Sequence, residues 1–189
     1  MTESLSRGDL LIASPFLHDP NFRRAVIVLC EHGPEGSLGL IINRPMEIPL
    51  GAVLHPLADS SAGTHRVHQG GPVDTGRLLG LRLGSFPGES AEAIGGALHL
   101  LVDLEHSLEL IGAGAVDPTH YRFFLGYAGW GEGQLAREVR DEAWVVASGG
   151  ADESLAFTES TTTAWSDALR ALGGSAAWWA EMPIDPGMN

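Results

Sequence analysis

Residues 25–43 read AVIVLCEHGPEGSLGLIIN, and this stretch is the strongest indicator of the fold. The run 25–30 is apolar throughout and rich in β-branched side chains, as in a strand buried on both faces. A glycine- and proline-containing turn over residues 32–36 separates it from a second apolar run, which ends at Asn43. Two apolar strands joined by so short a turn predict an antiparallel hairpin.

Outward from this hairpin, strand and helix patterns follow one another without regular alternation. Strands are predicted at 8–14, 67–73, 78–83, 97–102, 121–127 and 144–147, and helices at 50–57, 105–113, 134–141 and 162–172. The last helix carries Trp165, Leu169 and Leu172 on one face. This irregular order favours an α+β fold over a doubly wound parallel sheet. We expect one domain over residues 1–189, with a smaller lobe within about 46–117.

The charge balance argues against nucleic-acid binding. The chain has 24 acidic and 11 basic residues, all of the latter arginine, and its formal net charge is -13. Affinity for nucleic acids comes largely from cations that neutralise phosphates, so this surface repels a duplex on balance. The arginines are scattered, and no basic stripe is visible in the sequence. Direct nucleic-acid binding is therefore disfavoured.

The sequence predicts a cytoplasmic protein that does not enter a membrane. No uninterrupted apolar run approaches the roughly 20 residues that a membrane helix needs. The first segment, Met1 to Arg7, has neither the charged start nor the apolar centre of a signal peptide. A single cysteine, Cys30, cannot form an internal disulfide, which agrees with a reducing compartment.

Three stretches, taken together and in order, resemble the bacterial YqgE/AlgH family. They are the opening from Gly8 to Asn43 with the Arg44-Pro45 that follows, the segment Gly70-Gly71-Pro72-Val73, and the run from Leu125 to Leu135 followed by Glu138. The middle region, 84–117, matches loosely, and the C-terminus lacks the family's usual Gly-His-Ala-like ending. A site shaped by that tail would therefore differ in this chain.

The resemblance implies a fold but no established reaction. It implies an α+β domain whose branched, largely antiparallel sheet partly closes into a small barrel and is surrounded by helices. Some members of the family are named as transcriptional regulators on genetic grounds, and no biochemical activity is established for the family.

Cys30 and His32 are the candidates for a catalytic role. On a strand, residues two apart point to the same face, so the thiol and the imidazole could lie near each other. A Cys–His pair is the minimum for a nucleophile activated by a base. The competing and favoured interpretation is a core thiol at a strand end, with His32 at the turn, since free cysteines are among the most buried residue types.

The sequence predicts neither a metal site nor a bound cofactor. His65 and His68 are three residues apart, which on a strand places them on opposite faces. The glycine-rich segment 129–133 precedes a predicted helix, where an anion could dock. It lacks a Walker lysine and the dinucleotide-binding spacing, and glycines beside a tryptophan are more often there for close packing.

A small polar cleft is the predicted ligand site. Six polar or amphipathic side chains stand at strand ends within the matching motifs, and if their loops converge they form a cleft with an aromatic wall. These are Ser14, Asn43, Arg44, Tyr127, Trp130 and Gln134. The alternative is that Ser14 and Asn43 bond to turn backbones and that Trp130 fills an edge of the core.

Three functional hypotheses follow from these features. The first is a non-enzymatic regulatory or adaptor protein that acts through a protein partner or a small ligand, because no complete catalytic constellation is visible. The second is a small-molecule enzyme that uses the Cys30/His32 or the Tyr127/Gln134 region. The third is a DNA-binding transcriptional regulator, which the net charge disfavours.

Overall fold

A computed structural model describes residues 5–150, 156–157 and 161–182 of the protein, apart from the side chain of Ser61. Its strands are β1 (Leu10–Ala13), β2 (Val26–Gly33), β3 (Gly36–Ile41), β4 (Pro45–Pro49), β5 (Arg66–Gln69), β6 (Val73–Leu83), β7 (Ala91–Gly95), β8 (Leu98–Leu101), β9 (Tyr121–Gly131) and β10 (Trp144–Ala147). Its α-helices are α1 (Leu50–Val53), α2 (Leu104–Gly112), α3 (Gln134–Arg140), α4 (Ala164–Leu172) and α5 (Gly174–Trp179). Single 3-10 turns lie at His55–Leu57, Ser61–Thr64 and Pro118–His120.

The strands form one curled sheet in the order β10-β1-β2-β3-β9-β6-β8-β7. All neighbours along this path are antiparallel, and the hairpin predicted from residues 25–43 is confirmed as β2 and β3. β4 and β5 branch from the path, and β5 runs parallel to β9. The sheet forms a half-barrel with helices around it, so the predicted α+β fold with a branched, partly closed sheet is confirmed.

β9 is the strand at which the sheet branches. It pairs with β6 over residues 121–127, with β3 over residues 128–131, and with β5 at its middle. Gly126 takes a φ of +70°, and a Cβ at this position would lie 2.6 Å from the carbonyl oxygen of Gly71. Glycine is therefore the residue that fits this crossing of strands.

The glycine-rich segment before α3 is mostly strand. The sequence predicts that β9 ends at Tyr127, but its pairing with β3 extends the ladder to Gly131. Only Glu132 and Gly133 separate β9 from α3. The segment weighed as an anion-docking loop is thus reduced to a two-residue connection, which agrees with the favoured interpretation that its glycines serve close packing.

A β-bulge at Cys30 interrupts the regular alternation of β2. Leu29 pairs with Gly39 and Glu31 pairs with Leu38, so Cys30 is an extra residue in the ladder. Cys30 is buried, whereas residues 31–33 are exposed. The prediction that residues 30 and 32 share a face is therefore wrong, because a bulge shifts the alternation of side chains by one position.

Both faces of the sheet are buried where β1, β2 and β3 lie side by side. On one face these strands pack under α4, whose Trp165 and Leu169 are buried. On the other face they are covered by Trp130, Leu135 and Trp144 from β9, α3 and β10. Two-sided burial explains why the first strands are continuously apolar rather than alternating.

Several elements differ from the sequence prediction. The sequence predicts neither β4, which has a proline at each end, nor β7, whose alanines and glycine have low strand propensity. Leu172, predicted on the buried face of the last helix, is 39% exposed because α4 ends there.

A third apolar cluster contains residues of α1, α2 and β8 together with Tyr121 and Phe123. The smaller lobe within 46–117 stays a prediction.

Candidate ligand-binding site

A cavity of about 430 Å³ lies beside the branch of the sheet, between β5, the start of β9 and described residues of the 156–161 stretch. Its volume falls within the roughly 300–1,000 Å³ of small-molecule sites. It is lined by Pro45, Thr64, His65, Arg66, His68, Thr119, Tyr121, Arg122, Phe123, Phe157 and Thr161. This lining combines two arginines, two histidines, threonine hydroxyls and aromatic rings, and its described residues include no carboxylate.

The pairing of β5 with β9 creates this site. The parallel register places His68 opposite Phe124, and the two ring centroids are 5.6 Å apart. On its other side, β5 pairs with β4, with Pro45 opposite His68. Arg122 lies two residues before Phe124 in β9, so adjacent strands carry the imidazole and the guanidinium to one cavity.

His68 is buried with one hydrogen-bonding atom unused. The residue is 6% exposed, and its Nδ1 has no hydrogen-bond partner among the described residues. Burial lowers the pKa of His68 to about 3, and the positive charge of Arg122 acts in the same direction. The ring is therefore neutral at pH 7. A buried polar atom without a partner costs about 1–3 kcal/mol, so a bound group that formed a hydrogen bond to Nδ1 would stabilise the protein.

Arg122 is also buried, and residues that lie outside the sheet hold its guanidinium in place. Its Nη1 donates a hydrogen bond to the carbonyl oxygen of Ala156 at 2.5 Å, and its guanidinium carbon lies 5.2 Å from the centre of the Phe157 ring. These contacts fix the guanidinium at the cavity wall. Guanidinium presents several donors in one plane, a geometry that suits carboxylate and phosphate groups.

A buried ion pair fixes Tyr121, the neighbouring wall residue. The Tyr121 hydroxyl donates to Glu89 Oε2 at 3.1 Å, and Arg82 Nη1 donates to the same oxygen at 2.5 Å. The side chains of Arg82 and Glu89 are 4% and 0% exposed. Burial, with the negative charge of Glu89, raises the pKa of Tyr121 to about 12. Tyr121 therefore keeps its proton and its position at neutral pH.

Three residues of the predicted cleft instead support the loop between β1 and β2. Asn43 accepts a hydrogen bond from the amide of Val26 and donates one to the carbonyl of Arg24, both at 2.9 Å. Arg44 donates to two backbone carbonyl oxygens of the same loop, at 2.5 and 3.0 Å. The Ser14 hydroxyl oxygen accepts from an amide two residues further along the chain, at 3.2 Å.

Two other residues of the predicted cleft, Trp130 and Gln134, donate hydrogen bonds to the carboxylate of Glu138. Glu138 Oε2 accepts hydrogen bonds from the indole nitrogens of Trp130 and Trp144, at 2.9 and 2.8 Å, and its Oε1 accepts from Gln134 at 2.9 Å. The Gln134 side-chain oxygen accepts from the amide of Gly131 at 3.1 Å. This cluster ties α3 to β9 and β10.

The two groups of residues are connected by Phe22 of the β1–β2 loop. Its ring stacks on Trp130, with centroids 6.4 Å apart. Tyr127 lies elsewhere, with the guanidinium carbon of Arg77 5.9 Å from its ring centre. None of the six predicted residues lines the cavity described above.

Cys30 and His32 do not form a pair. Cys30 is fully buried, and burial, with the nearby charge of Glu31, raises the pKa of its thiol to about 12. Its Sγ lies 3.6 Å from the carbonyl oxygen of Val28. His32 is exposed, and its Nδ1 lies 2.7 Å from the hydroxyl of Ser37. The thiol is thus protonated and inaccessible at neutral pH, a state opposite to that of a reactive cysteine.

The sequence carried one signal for the cavity. Arg122 is the single charged residue in the apolar run 121–127, and a charge inside a buried strand needs a special environment. The histidines were harder to interpret. The prediction that His65 and His68 face away from each other is wrong, because His65 precedes β5 and strand alternation does not apply to it. Both histidines line the cavity.

Two features are absent from the described residues. They contain no group of three or more histidine, cysteine, aspartate or glutamate side chains that could hold a metal ion. None of their helices is long and apolar enough to cross a membrane.

The fold and the cavity define a half-barrel α+β protein with a polar cavity beside the branch of its sheet. Residues 10–177 match the AlgH-like family model. The chain is 44% identical to a UPF0301 protein of Streptomyces coelicolor, covering 100% of this chain and 98% of that protein, and 39% identical to one of Chlorobaculum tepidum, covering 99% and 97%. It belongs to the AlgH-like (UPF0301) family.

Solved structures agree with this assignment. The solution structure of the AlgH protein from Pseudomonas aeruginosa superposes with a TM-score of 0.73 at 32% identity and covers 97% of this chain and 98% of that one. A protein from Corynebacterium diphtheriae superposes with a TM-score of 0.77 at 20% identity, covering 95% and 94%. The latter supports the fold alone.

Proposed function

We propose that this chain is a non-catalytic regulatory or adaptor protein of the cytoplasm, and that its activity depends on a small molecule bound in the cavity beside β5 and β9. One observation carries the proposal. A 430 Å³ cavity is lined by a buried histidine whose Nδ1 has no hydrogen-bond partner among the described residues. A ligand would supply that partner and offset the cost of leaving the nitrogen unpaired.

The same cavity supports binding more strongly than catalysis. Its histidine has a pKa of about 3, so the ring is a poor base at neutral pH. Burial shifts the pKa of the chain's single cysteine in the opposite direction, to about 12, so its thiol is protonated at neutral pH. A binding protein needs only a cavity of suitable shape and polar groups in fixed positions. Arg122 and Tyr121 are such groups, because their hydrogen bonds to the carbonyl oxygen of Ala156 and to Glu89 hold them in place.

Thermal-shift measurements test the proposal. The panel consists of free amino acids, neutral sugars, nucleosides, carboxylates and phosphate esters, measured on the wild type, Thr64→Trp and Thr75→Trp. Thr64 lines the cavity, and a tryptophan there would fill part of it. Thr75 is an exposed residue that does not line the cavity, so Thr75→Trp is the matched control.

At least one compound should raise the melting temperature of the wild type and of Thr75→Trp but not that of Thr64→Trp. It should also be recovered chemically unchanged after prolonged incubation with the protein. The proposal is overturned if no compound stabilises the wild type, if Thr64→Trp is stabilised equally, or if the compound is converted to a product.

A further inference from the structure

The unused nitrogen of His68 indicates which kind of group an occupant of the cavity presents to it. This Nδ1 is buried, has no hydrogen-bond partner among the described residues, and belongs to a ring that lines the cavity. In a neutral imidazole the atom is either a donor or an acceptor, depending on the tautomer. A hydroxyl or an amide group both donates and accepts hydrogen bonds, so either group can pair with Nδ1 in either tautomer.

A neutral imidazole also favours an uncharged group at this contact. Burial lowers the pKa of His68 to about 3, so at neutral pH the ring carries no charge that could offset an ion beside it. Moving an ion out of water without a compensating charge costs far more than moving a hydroxyl or an amide. The two arginines of the lining have partners of their own: Arg66 lies 3.4 Å from Glu47 at the exposed rim, and Arg122 is held by contacts within the protein.

Aromatic rings supply the apolar part of the lining. Tyr121 and Phe123 lie two residues apart on β9, and their rings are nearly parallel, with 9° between the ring planes and 6.4 Å between the centroids. The ring of Phe157 also lines the cavity. Aromatic side chains bind another aromatic ring through stacked or edge-to-face contacts in addition to burial of apolar area. A cavity of about 150 Å³ accommodates benzene, so about 430 Å³ has room for a bicyclic ring and its substituents.

We infer that the cavity binds an uncharged aromatic compound whose hydroxyl or amide group forms a hydrogen bond with His68 Nδ1 and whose ring lies against the aromatic part of the lining. The inference rests on the proposed function and specifies the ligand class for the same site. Phenols and nucleosides both have this chemistry, and the choice of probes distinguishes these two sources.

An NMR titration with four probes, each giving a dissociation constant, tests the inference. 2-Naphthol, naphthalene and 2-naphthoate share one bicyclic ring and carry a hydroxyl, no polar group and a carboxylate, respectively, and inosine is the nucleoside. The proteins are the wild type, His68→Phe, His68→Asn and the control His18→Phe. Phenylalanine keeps an aromatic ring but removes the hydrogen-bonding nitrogen, whereas asparagine keeps a hydrogen-bonding group near the position of Nδ1. His18 is exposed and does not line the cavity.

We expect 2-naphthol or inosine to bind the wild type and His18→Phe with equal affinity. 2-Naphthol should bind the wild type about tenfold more tightly than naphthalene or 2-naphthoate, as expected for one hydrogen bond to a buried group. His68→Phe should remove the preference for 2-naphthol over naphthalene and should weaken inosine binding about tenfold, and His68→Asn should retain part of both affinities.

A second measurement uses the wild type alone and therefore decides the test if His68→Phe fails to fold. The ¹⁵N signal of His68 Nδ1 should shift on saturation with 2-naphthol or inosine, and by more than it does with naphthalene, because only the polar probes form a hydrogen bond with it. Binding of 2-naphthol alone indicates a phenol as the occupant, and binding of inosine alone indicates a nucleoside.

The inference is overturned if naphthalene or 2-naphthoate binds the wild type as tightly as 2-naphthol and inosine do. It is also overturned if His68→Phe binds both polar probes undiminished, or if the His68 Nδ1 signal does not respond to either. If neither polar probe binds while a sugar or a phosphate ester of the thermal-shift panel does, the inference fails and the ligand-binding function stands. If no compound of any class binds, both fail.

Discussion

The buried imidazole of His68 makes the stability of the protein depend on pH in a way that can be calculated. In the folded chain the pKa of His68 is about 3, whereas that of a free histidine is about 6.5. The unfolded chain therefore takes up a proton on this ring at a pH where the folded chain does not. Stability that is complete above pH 6.5 is lost as the pH falls from about 6.5 towards 3.

The slope of this loss is about 1.4 kcal/mol per pH unit within that window. Between pH 7.5 and 5.5 the contribution of His68 to the free energy of unfolding should fall by about 1.4 kcal/mol. This range stays above the sequence pI of about 4.8, which avoids isoelectric precipitation. Other titrating groups change over the same range, so the His68 contribution must be isolated by comparison with a variant.

Urea unfolding, followed by tryptophan fluorescence at pH 7.5, 6.5 and 5.5, gives the free energies for the wild type and His68→Leu. Between pH 7.5 and 5.5 the wild type should lose about 1.4 kcal/mol of unfolding free energy relative to His68→Leu, because leucine has no proton to gain. His18→Leu is the control, since His18 is exposed and does not line the cavity. If the wild-type and His68→Leu curves run parallel, the ring is accessible to solvent and the description of the cavity is wrong.

Three further predictions concern the supporting structure. Glu138→Ala should lower the free energy of unfolding by about 3–5 kcal/mol, because the indole nitrogens of Trp130 and Trp144 lose a shared carboxylate acceptor; a urea titration that finds less than about 1 kcal/mol would refute this. Asn43→Ala should cost about 1–3 kcal/mol in the same assay, since it leaves a backbone amide and a carbonyl at the start of β2 unpaired. Cys30 should react with iodoacetamide orders of magnitude more slowly in the native protein than in urea, because burial keeps its thiol protonated; equal rates would contradict its burial.

A matched control accompanies the two stability variants. Glu35 is exposed in the β2–β3 turn, and Glu35→Ala should change the free energy of unfolding by no more than about 0.5 kcal/mol. A large effect there would indicate that charge removal alone destabilises the chain, and the loss in Glu138→Ala would then need another explanation.

The parts of the fold that could be predicted are those in which local pattern and tertiary burial agree. The continuous apolar runs of β2 and β3 and the short turn between them specify a hairpin without reference to the rest of the chain. β4 and β7 could not be found in this way, because their residues have weak strand propensity and are ordered by pairing with β5 and β8.

The bulge at Cys30 shows the limit of periodicity. Alternation places residues 30 and 32 on one face, but a single inserted residue reverses that relation, and nothing in the local sequence announces it. The Cys–His hypothesis depended on that relation. The burial of Cys30 itself was expected from its residue type and its apolar neighbours.

The candidate site was harder to predict than the fold. The resemblance to relatives directed attention to Ser14, Asn43 and Trp130, whose polar atoms bond to backbone or to Glu138 within the structure. The cavity depends instead on β5 pairing in parallel with β9, a contact between segments more than fifty residues apart in the sequence. Such a pairing brings His68 and Arg122 together, and no local pattern contains it.

The most direct test of the cavity as the ligand site is a ¹⁵N-resolved NMR titration of the wild type with the compound that raises its melting temperature most in the thermal-shift panel. We expect saturable shifts of the signals of residues 64–68 and 119–123 and of the His68 ring, with the signals around Trp130 and Glu138 unchanged. Saturable shifts confined to the Trp130–Glu138 cluster, or the absence of saturable shifts at His68, would contradict the account.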